Sequence, residues 1–238
     1  MNPLFKRLLL GGLLPVSPLA LQAQSAFVEG RITYTADTVR RLDPQPAAYI
    51  AHQLVVYRKA GATRLEVWLV NRFNPADTKK EVHVRNGTGT YTWIDYSDST
   101  RAAAGNSALF VSYEQEQALP RAAGPSPQKR TRRPAKVLQQ LPWLGLPAER
   151  IALTPDGNRA TEAVVTQAVD WPLWAIFPDV LALPGTPLQF SERGRGWLTR
   201  FTAKALTAQA VSDALFRVDP RLKVMSLAEA RESISAFD

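Results

Sequence analysis

The chain has 238 residues, a formal charge of +8 and no cysteine. A cysteine-free chain has no disulfide framework, no thiolate metal site and no lipidated cysteine behind a leader. With 45% hydrophobic residues, six of them Trp and nine Phe, it carries enough apolar material for a sizeable core in one domain.

The basic excess is local. Arg121, Lys129, Arg130, Arg132, Arg133 and Lys136 lie in one Pro-rich stretch that holds no acid. With the leader cations Lys6 and Arg7 set aside, the remainder of the chain is neutral. A nucleic-acid binder spreads its cations and aromatics over a folded face, so this pattern argues against nucleic acid as a partner. The expected role of the six cations is electrostatic contact with an anionic membrane surface or acidic envelope polymer, from a loop at 121–136 that offers no large apolar residue to a core.

In chain order, Lys6 and Arg7 precede an apolar run from Leu8 to Leu14 and small residues at Ala20 and Ala23. This is the layout of a secretion leader over 1–24, with periplasmic or secreted destination. Pro15 and Pro18 break the run before it reaches the ~20 residues a spanning helix needs. A first strand is predicted from Phe27 to Tyr34. Arg64 to Val70 alternates as a half-buried strand, with Leu65, Val67 and Leu69 on one face and Arg64, Glu66 and Trp68 on the other. Val82 to Arg85 leads into Asn86-Gly87, which predicts a tight hairpin with positive φ at both turn residues and pairing to Tyr91–Tyr96.

Ala108 to Tyr113 adds a strand. Beyond the basic stretch come a short apolar piece over Leu138–Leu146, a turn at Pro155-Asp156-Gly157-Asn158 and a β-prone run over Thr161–Val169. Pro172 and Pro178 argue against a long helix between Trp171 and Leu183. Trp197–Thr202 alternates again, and Ala203–Ala214 is open between helix and strand. Ser226-Leu227-Ala228-Glu229 has the capping-box form, followed at helical spacing by Ala230, Ile234 and Phe237, which predicts a short C-terminal helix. The expected fold is mainly β: a single domain over 25–238 with one short helix.

Glu29-Gly30-Arg31-Ile32-Thr33-Tyr34 behind a leader resembles the opening of the GLPGLI-type envelope proteins of Bacteroidetes. Leu183-Pro184-Gly185, Leu188-Gln189-Phe190, Ala203-Lys204-Ala205-Leu206 and Val211 through Phe216 to Pro220 are similar to its second half. The chain departs from the pattern at Ala182, at Thr186-Pro187 and in the spacing of Phe216 from Pro220. The resemblance implies a strongly curved antiparallel sheet of the lipoprotein-carrier half-barrel kind, with Ala203–Ser212 as a strand. It brings no active site.

Enzyme chemistry finds little footing. No G-x-S-x-G elbow or H-E-x-x-H helix occurs, two histidines are too few for a His-based zinc site, and no cofactor motif appears. His83 is expected on a solvated strand face. Asp95 with Asp98 and Glu114 with Glu116 are spaced as solubilising acids. Neither a metal nor a cofactor is therefore expected, and the chain is taken as non-enzymatic.

The remaining signal is aromatic. Trp68, Trp171, Trp174 and Trp197 are candidate lining for an apolar ligand groove, unless the C-terminal helix and the Pro-rich apolar segment cover that face. Two functions follow. The first is docking to an envelope protein or anionic membrane surface, and the second is carriage of a lipid or other apolar ligand in a concave sheet.

Overall fold

The structure, a computed structural model, describes residues 28–96, 107–118, 136–153, 161–171 and 183–235. The expected leader, Trp174, Asp98, the expected turn at 155–158 and Arg121, Lys129, Arg130, Arg132 and Arg133 lie outside them. Lys136 is described and stands exposed at the start of a strand.

The first half is a meander of β1 (Glu29–Arg41), β2 (Tyr49–Lys59), β3 (Ala62–Asn71), β4 (Asn74–Arg85), β5 (Gly89–Tyr96) and β6 (Ser107–Ser112), closed by the six-residue helix α1 (Tyr113–Ala118). The second is a meander of β7 (Lys136–Trp143), β8 (Leu146–Leu153), β9 (Thr161–Thr166), β10 (Thr186–Gly194) and β11 (Trp197–Ala208). A 3₁₀ turn (Asp213–Phe216), β12 (Lys223–Ser226) and α2 (Leu227–Ser235) follow. All twelve strands join one open sheet in the order β12-β6-β5-β4-β3-β2-β1-β11-β10-β9-β8-β7. The fold is mainly β with a short C-terminal helix, as the sequence implies.

The two meanders meet where β1 pairs antiparallel with β11, from Gly30↔Ala208 to Arg41↔Trp197. Bulges in β1 and β11 bend this seam, and a bulge adds local twist and curvature. The curl is visible in contacts that skip strands. Glu81 on β4 pairs with Arg195, which sits at the β10–β11 turn, although four strand spacings would separate β4 from β11 by roughly 19 Å in a flat sheet. On the other side, the Trp143 indole at the tip of the β7–β8 hairpin donates to the Ala203 carbonyl of β11 at 3.2 Å.

The face turned inward by this curl carries the main core. Ile32, Tyr34, Leu54, Val56, Leu65, Leu188, Phe190 and Phe201 pack there with Trp171 from the segment after β9. Phe190 stacks on Phe201 at 5.0 Å and meets Tyr34 edge-on at 5.9 Å. The Tyr34 hydroxyl, fully buried, donates to the Pro187 carbonyl at 2.8 Å, and burial pushes its pKa up.

The outward face of β3–β5 is covered too, by the strap 209–222 that runs from β11 to β12. Val211 and Phe216 pack on Val82, Val84 and Trp93. Arg64 and Glu66, expected on a solvated face, are buried beneath the strap as an ion pair at 2.6 Å, and Arg64 donates to the Leu215 carbonyl at 2.9 Å. The strap, an element the sequence did not suggest as a cover, packs on this face, and residues 172–182 of the Pro-rich apolar segment lie outside the described residues.

Four further expectations need correction. The β4–β5 pairing holds, but Asn86-Gly87 is no two-residue turn: Arg85 pairs Thr90, Asn86 N–H donates to the Gly89 carbonyl, and the Asn86 amide oxygen instead takes Thr88 N–H at 3.0 Å. The strand implied for Ala203–Ser212 ends at Ala208. The Leu138–Leu146 piece splits into two strands around Leu144-Gly145. One seam is parallel, β12 on β6. The capping box forms as expected, with Ser226 N–H donating to Glu229 Oε2 at 2.7 Å and Glu229 N–H to Ser226 Oγ at 3.3 Å.

Gly185 sits at φ +118° where β10 begins, and a Cβ there would lie 2.6 Å from the Thr166 carbonyl oxygen. Gly185→Ala combines a left-handed backbone with a clash, so it should destabilise the fold by on the order of 1–3 kcal/mol. Urea unfolding of the variant checks this, and a loss of a few tenths of a kcal/mol would contradict it.

Candidate functional site

The concave face does not fill completely. Near the end of the sheet where β1, β3 and β10 finish, it leaves a cleft of about 450 Å3. Tyr49, Ala51, Val67 and Leu69 form one wall, Trp197, Thr199 and Phe201 the other, and Glu81, His83, Glu192 and Arg195 supply polar groups. Strand alternation explains the set. Val67 and Leu69 face inward with Leu65, and their cross-strand partners Glu81 and Lys79, like His83 opposite Leu65, share that face.

His83 is therefore not a solvated histidine. Burial lowers its pKa to about 4, with Arg195 acting in the same direction and Glu81 opposing, so the ring is neutral at physiological pH. Its Nδ1 lies 3.1 Å from Thr92 Oγ1, which leaves Nε2 as the nitrogen available to a ligand. Burial also lowers the pKa of neighbouring Lys79, whose ammonium sits 4.3 Å over the Tyr49 ring. The Tyr49 hydroxyl donates to Asp77 at 2.7 Å, which fixes the ring against the cleft.

Arg195 is held at a hairpin tip. Arg195 and Gly196 form a two-residue hairpin turn at φ +56° and +79°, the conformation of a type I′ turn, which a non-Gly residue enters at a cost of about 1–2 kcal/mol. The Glu81 carboxylate accepts from its guanidinium, and its own carbonyl accepts Ala47 N–H at 2.9 Å.

Of the three candidate tryptophans among the described residues, Trp197 alone lines the cleft, with its indole N–H donating to the Ala47 carbonyl at 3.1 Å. Trp171 is core, 1% exposed. Trp68 is on the outward face at 36% exposure, with the Lys80 ammonium 5.2 Å from its ring. Sequence reasoning missed Glu81, His83, Glu192 and Arg195. The signal for His83 was present, since it stands across from Leu65 on the same face. Asp95 and Glu116 pair with Lys80 and Arg85 at 3.2 and 3.3 Å, away from the cleft. Among the described residues no group of three His, Asp or Glu could hold a metal ion, and no helix is long and apolar enough to cross a membrane.

No protein family and no curated protein matches the chain. Among solved structures, it is similar to an uncharacterised conserved protein of Thermus thermophilus, at 11% identity and TM-score 0.45 over 88% of this chain and 98% of that one. The MucA/MucB complex of Pseudomonas aeruginosa matches at 11% identity and TM-score 0.33, over 88% of this chain and 63% of that one. LprF from Mycobacterium bovis matches at 12% and 0.31, over 82% and 96%. At these scores the comparisons carry no functional argument, which rests on the cleft.

Because the folded-state pKa of His83 lies below the unfolded value of 6.5, the unfolded chain takes up a proton first as pH falls. The stability His83 contributes is fully present above pH 6.5 and is lost between about pH 6.5 and 4, up to about 3 kcal/mol. In His83→Gln that component should vanish. Melting temperatures of the two proteins across this window check it, and parallel curves would contradict the neutral, desolvated ring.

Proposed function

We propose that the protein is an exported, non-enzymatic envelope protein that holds an amphipathic small molecule, an acyl chain ending in a hydrogen-bonding head, in its concave cleft. The observation that carries this reading is the composition of the cleft: apolar walls from two sides of a curled sheet around a neutral, half-buried histidine. Its volume falls within the roughly 300–1,000 Å3 typical of small-molecule sites. A neutral ring next to a Glu–Arg pair suits a polar head that exchanges hydrogen bonds without bringing an unpaired charge into a low-dielectric site. Membership of the GLPGLI-type envelope proteins and removal of the leader over 1–24 belong to the same proposal.

A second reading, docking to an envelope protein, is favoured by β7. This strand ends the sheet, and Val137 and Leu138 on it are exposed, a template for strand addition by an extended partner. The basic stretch that runs into Lys136 would give such docking, or contact with an anionic surface, a salt-dependent component.

An apolar fluorophore should bind the mature protein saturably at micromolar concentration, with raised emission and a change in Trp fluorescence from Trp197. Ala51→Phe, which adds a ring at a half-buried wall position, should weaken that binding tenfold or more while the melting temperature stays within a few degrees. Absence of saturable binding by the folded parent would exclude the carrier reading and leave docking. Native mass spectrometry of the purified protein identifies any lipid that stays bound.

A further inference from the structure

Three hairpin tips meet at the end of the sheet where the cleft opens. They join β1 to β2, β3 to β4 and β10 to β11, and backbone hydrogen bonds tie them together. Leu42 N–H donates to the Gly196 carbonyl at 2.8 Å, Ala47 N–H to Arg195 at 2.9 Å and Arg72 N–H to Ala48 at 2.9 Å. What these rigid tips present to solvent is amphipathic. Phe73 is 73% exposed, Val39 45% and Leu42 39%, and Arg40, Arg41, Arg72 and Arg193 are exposed beside them. Among the described residues no carboxylate pairs with these four arginines. Of the nearby acids, Glu81 pairs with Arg195, while Asp77 accepts from Tyr49 and Asn71 and Asp43 from Gln45 N–H.

We propose that this rim docks the protein on an anionic lipid bilayer, with Phe73 and Leu42 entering the interface and the arginines meeting phosphate headgroups. The arrangement favours a bilayer over a protein partner. A protein interface wants a contiguous, desolvated apolar centre, whereas here Val39 and Leu42 stand on one hairpin and Phe73 on another, with cations set among them, as in Val39-Arg40-Arg41-Leu42 and Arg72-Phe73. Headgroups and acyl boundary accommodate that pattern directly. The bulge between Thr38 and Arg40 leaves Val39 outside the β1–β11 pairing, and bulges re-aim side chains in this way. Docking by the rim would set the cleft mouth against the lipid, yet it does not require that the cleft bind anything.

The cysteine-free chain allows a direct test. A nitrobenzoxadiazole label is placed at Phe73→Cys, and for comparison at Val28→Cys, which precedes β1 at the opposite end of the sheet, about 40 Å along that strand. Both are made in the chain without residues 1–24 and with Arg121, Lys129, Arg130, Arg132 and Arg133 changed to Gln, so that neither the leader nor the basic stretch can supply the binding. On vesicles of equal phosphatidylglycerol and phosphatidylcholine, the label at position 73 should shift to the blue and gain emission several-fold, while that at 28 stays unchanged. Arg40→Gln with Arg41→Gln should weaken vesicle binding about 30-fold, and 0.5 M salt should weaken it further. No change at 73, equal changes at both labels, or a response to polyglutamate in place of vesicles would overturn the proposal. Fluorophore uptake by the cleft is measured separately, so the two readings fail independently.

Discussion

Everything that makes a site in this protein depends on one seam, the pairing of β1 with β11. Each meander alone is built from short-range hairpins, with one apolar face and nothing to bury it against. The seam joins strands more than 150 residues apart in register from Gly30↔Ala208 to Arg41↔Trp197. It brings Phe190 and Phe201 of the second meander onto Tyr34 of the first and swings the β10–β11 turn over β4. Long-range pairing has a large loop-closure cost, which must be recovered from apolar burial on the shared concave face. The core therefore sits at the seam, and the cleft is the part of the concave face that the seam's curvature leaves unfilled.

The outward face shows how the sheet is kept from opening a second groove. Once β11 ends at Ala208, the chain crosses β1 through β6 to reach the edge, and the strap it forms is pinned by charge as well as by Phe216. Glu29 accepts Val211 N–H at 2.5 Å, Lys59 donates to the Val211 carbonyl at 2.9 Å and pairs with Asp213 at 2.8 Å. Underneath, the Arg64–Glu66 pair is buried. Such a pair offers little net stability over a well-packed apolar pair, yet leaving either partner alone costs about 3–5 kcal/mol. That asymmetry penalises any register of β3 or position of the strap that separates Arg64 from Glu66 and from the Leu215 carbonyl, so the pair acts on specificity more than on depth of the fold.

Fold class was legible because local pattern and final burial agree over much of the chain. The alternation of Leu65, Val67 and Leu69, the spacing of Val82 and Val84, and the capping box at Ser226 are each decided within a few residues. What was not legible is what distant strands decide. Three hairpins turn at Ala60-Gly61, Leu144-Gly145 and Arg195-Gly196, whose first residues carry φ near +50°, and such pairs look ordinary in sequence. The Asn-Gly pair that resembles the favoured turn sits instead in a longer loop. β2 escaped notice because Tyr49–Lys59 changes face at the bulge between Ala51 and Gln53, which breaks the period-two pattern. The strap's covering of Arg64 and Glu66 is invisible locally, since nothing in β3 shows that residues 209–222 return to it.

The site residues illustrate the same limit from the chemical side. A polar residue in an alternating strand is assigned to water by default, and for Arg85 or Lys80 that assumption costs little. At His83 it fails, because the face that carries Glu81, His83 and Lys79 is the one that curls inward, a fact fixed by Arg195 some 110 residues later. Tryptophans drew attention by size, yet size favours core filling: Trp171 and Trp93 are consumed by packing, and Trp68 is left outside. Trp197 reaches the cleft because its strand starts at the rim, where side chains on the concave face have one side in the core and the other at the opening. Position relative to the rim, more than residue type, decides which groups can meet a ligand here. The tips that fix the rim are tied to one another by backbone hydrogen bonds, so among the described residues a ligand meets walls that are already in place.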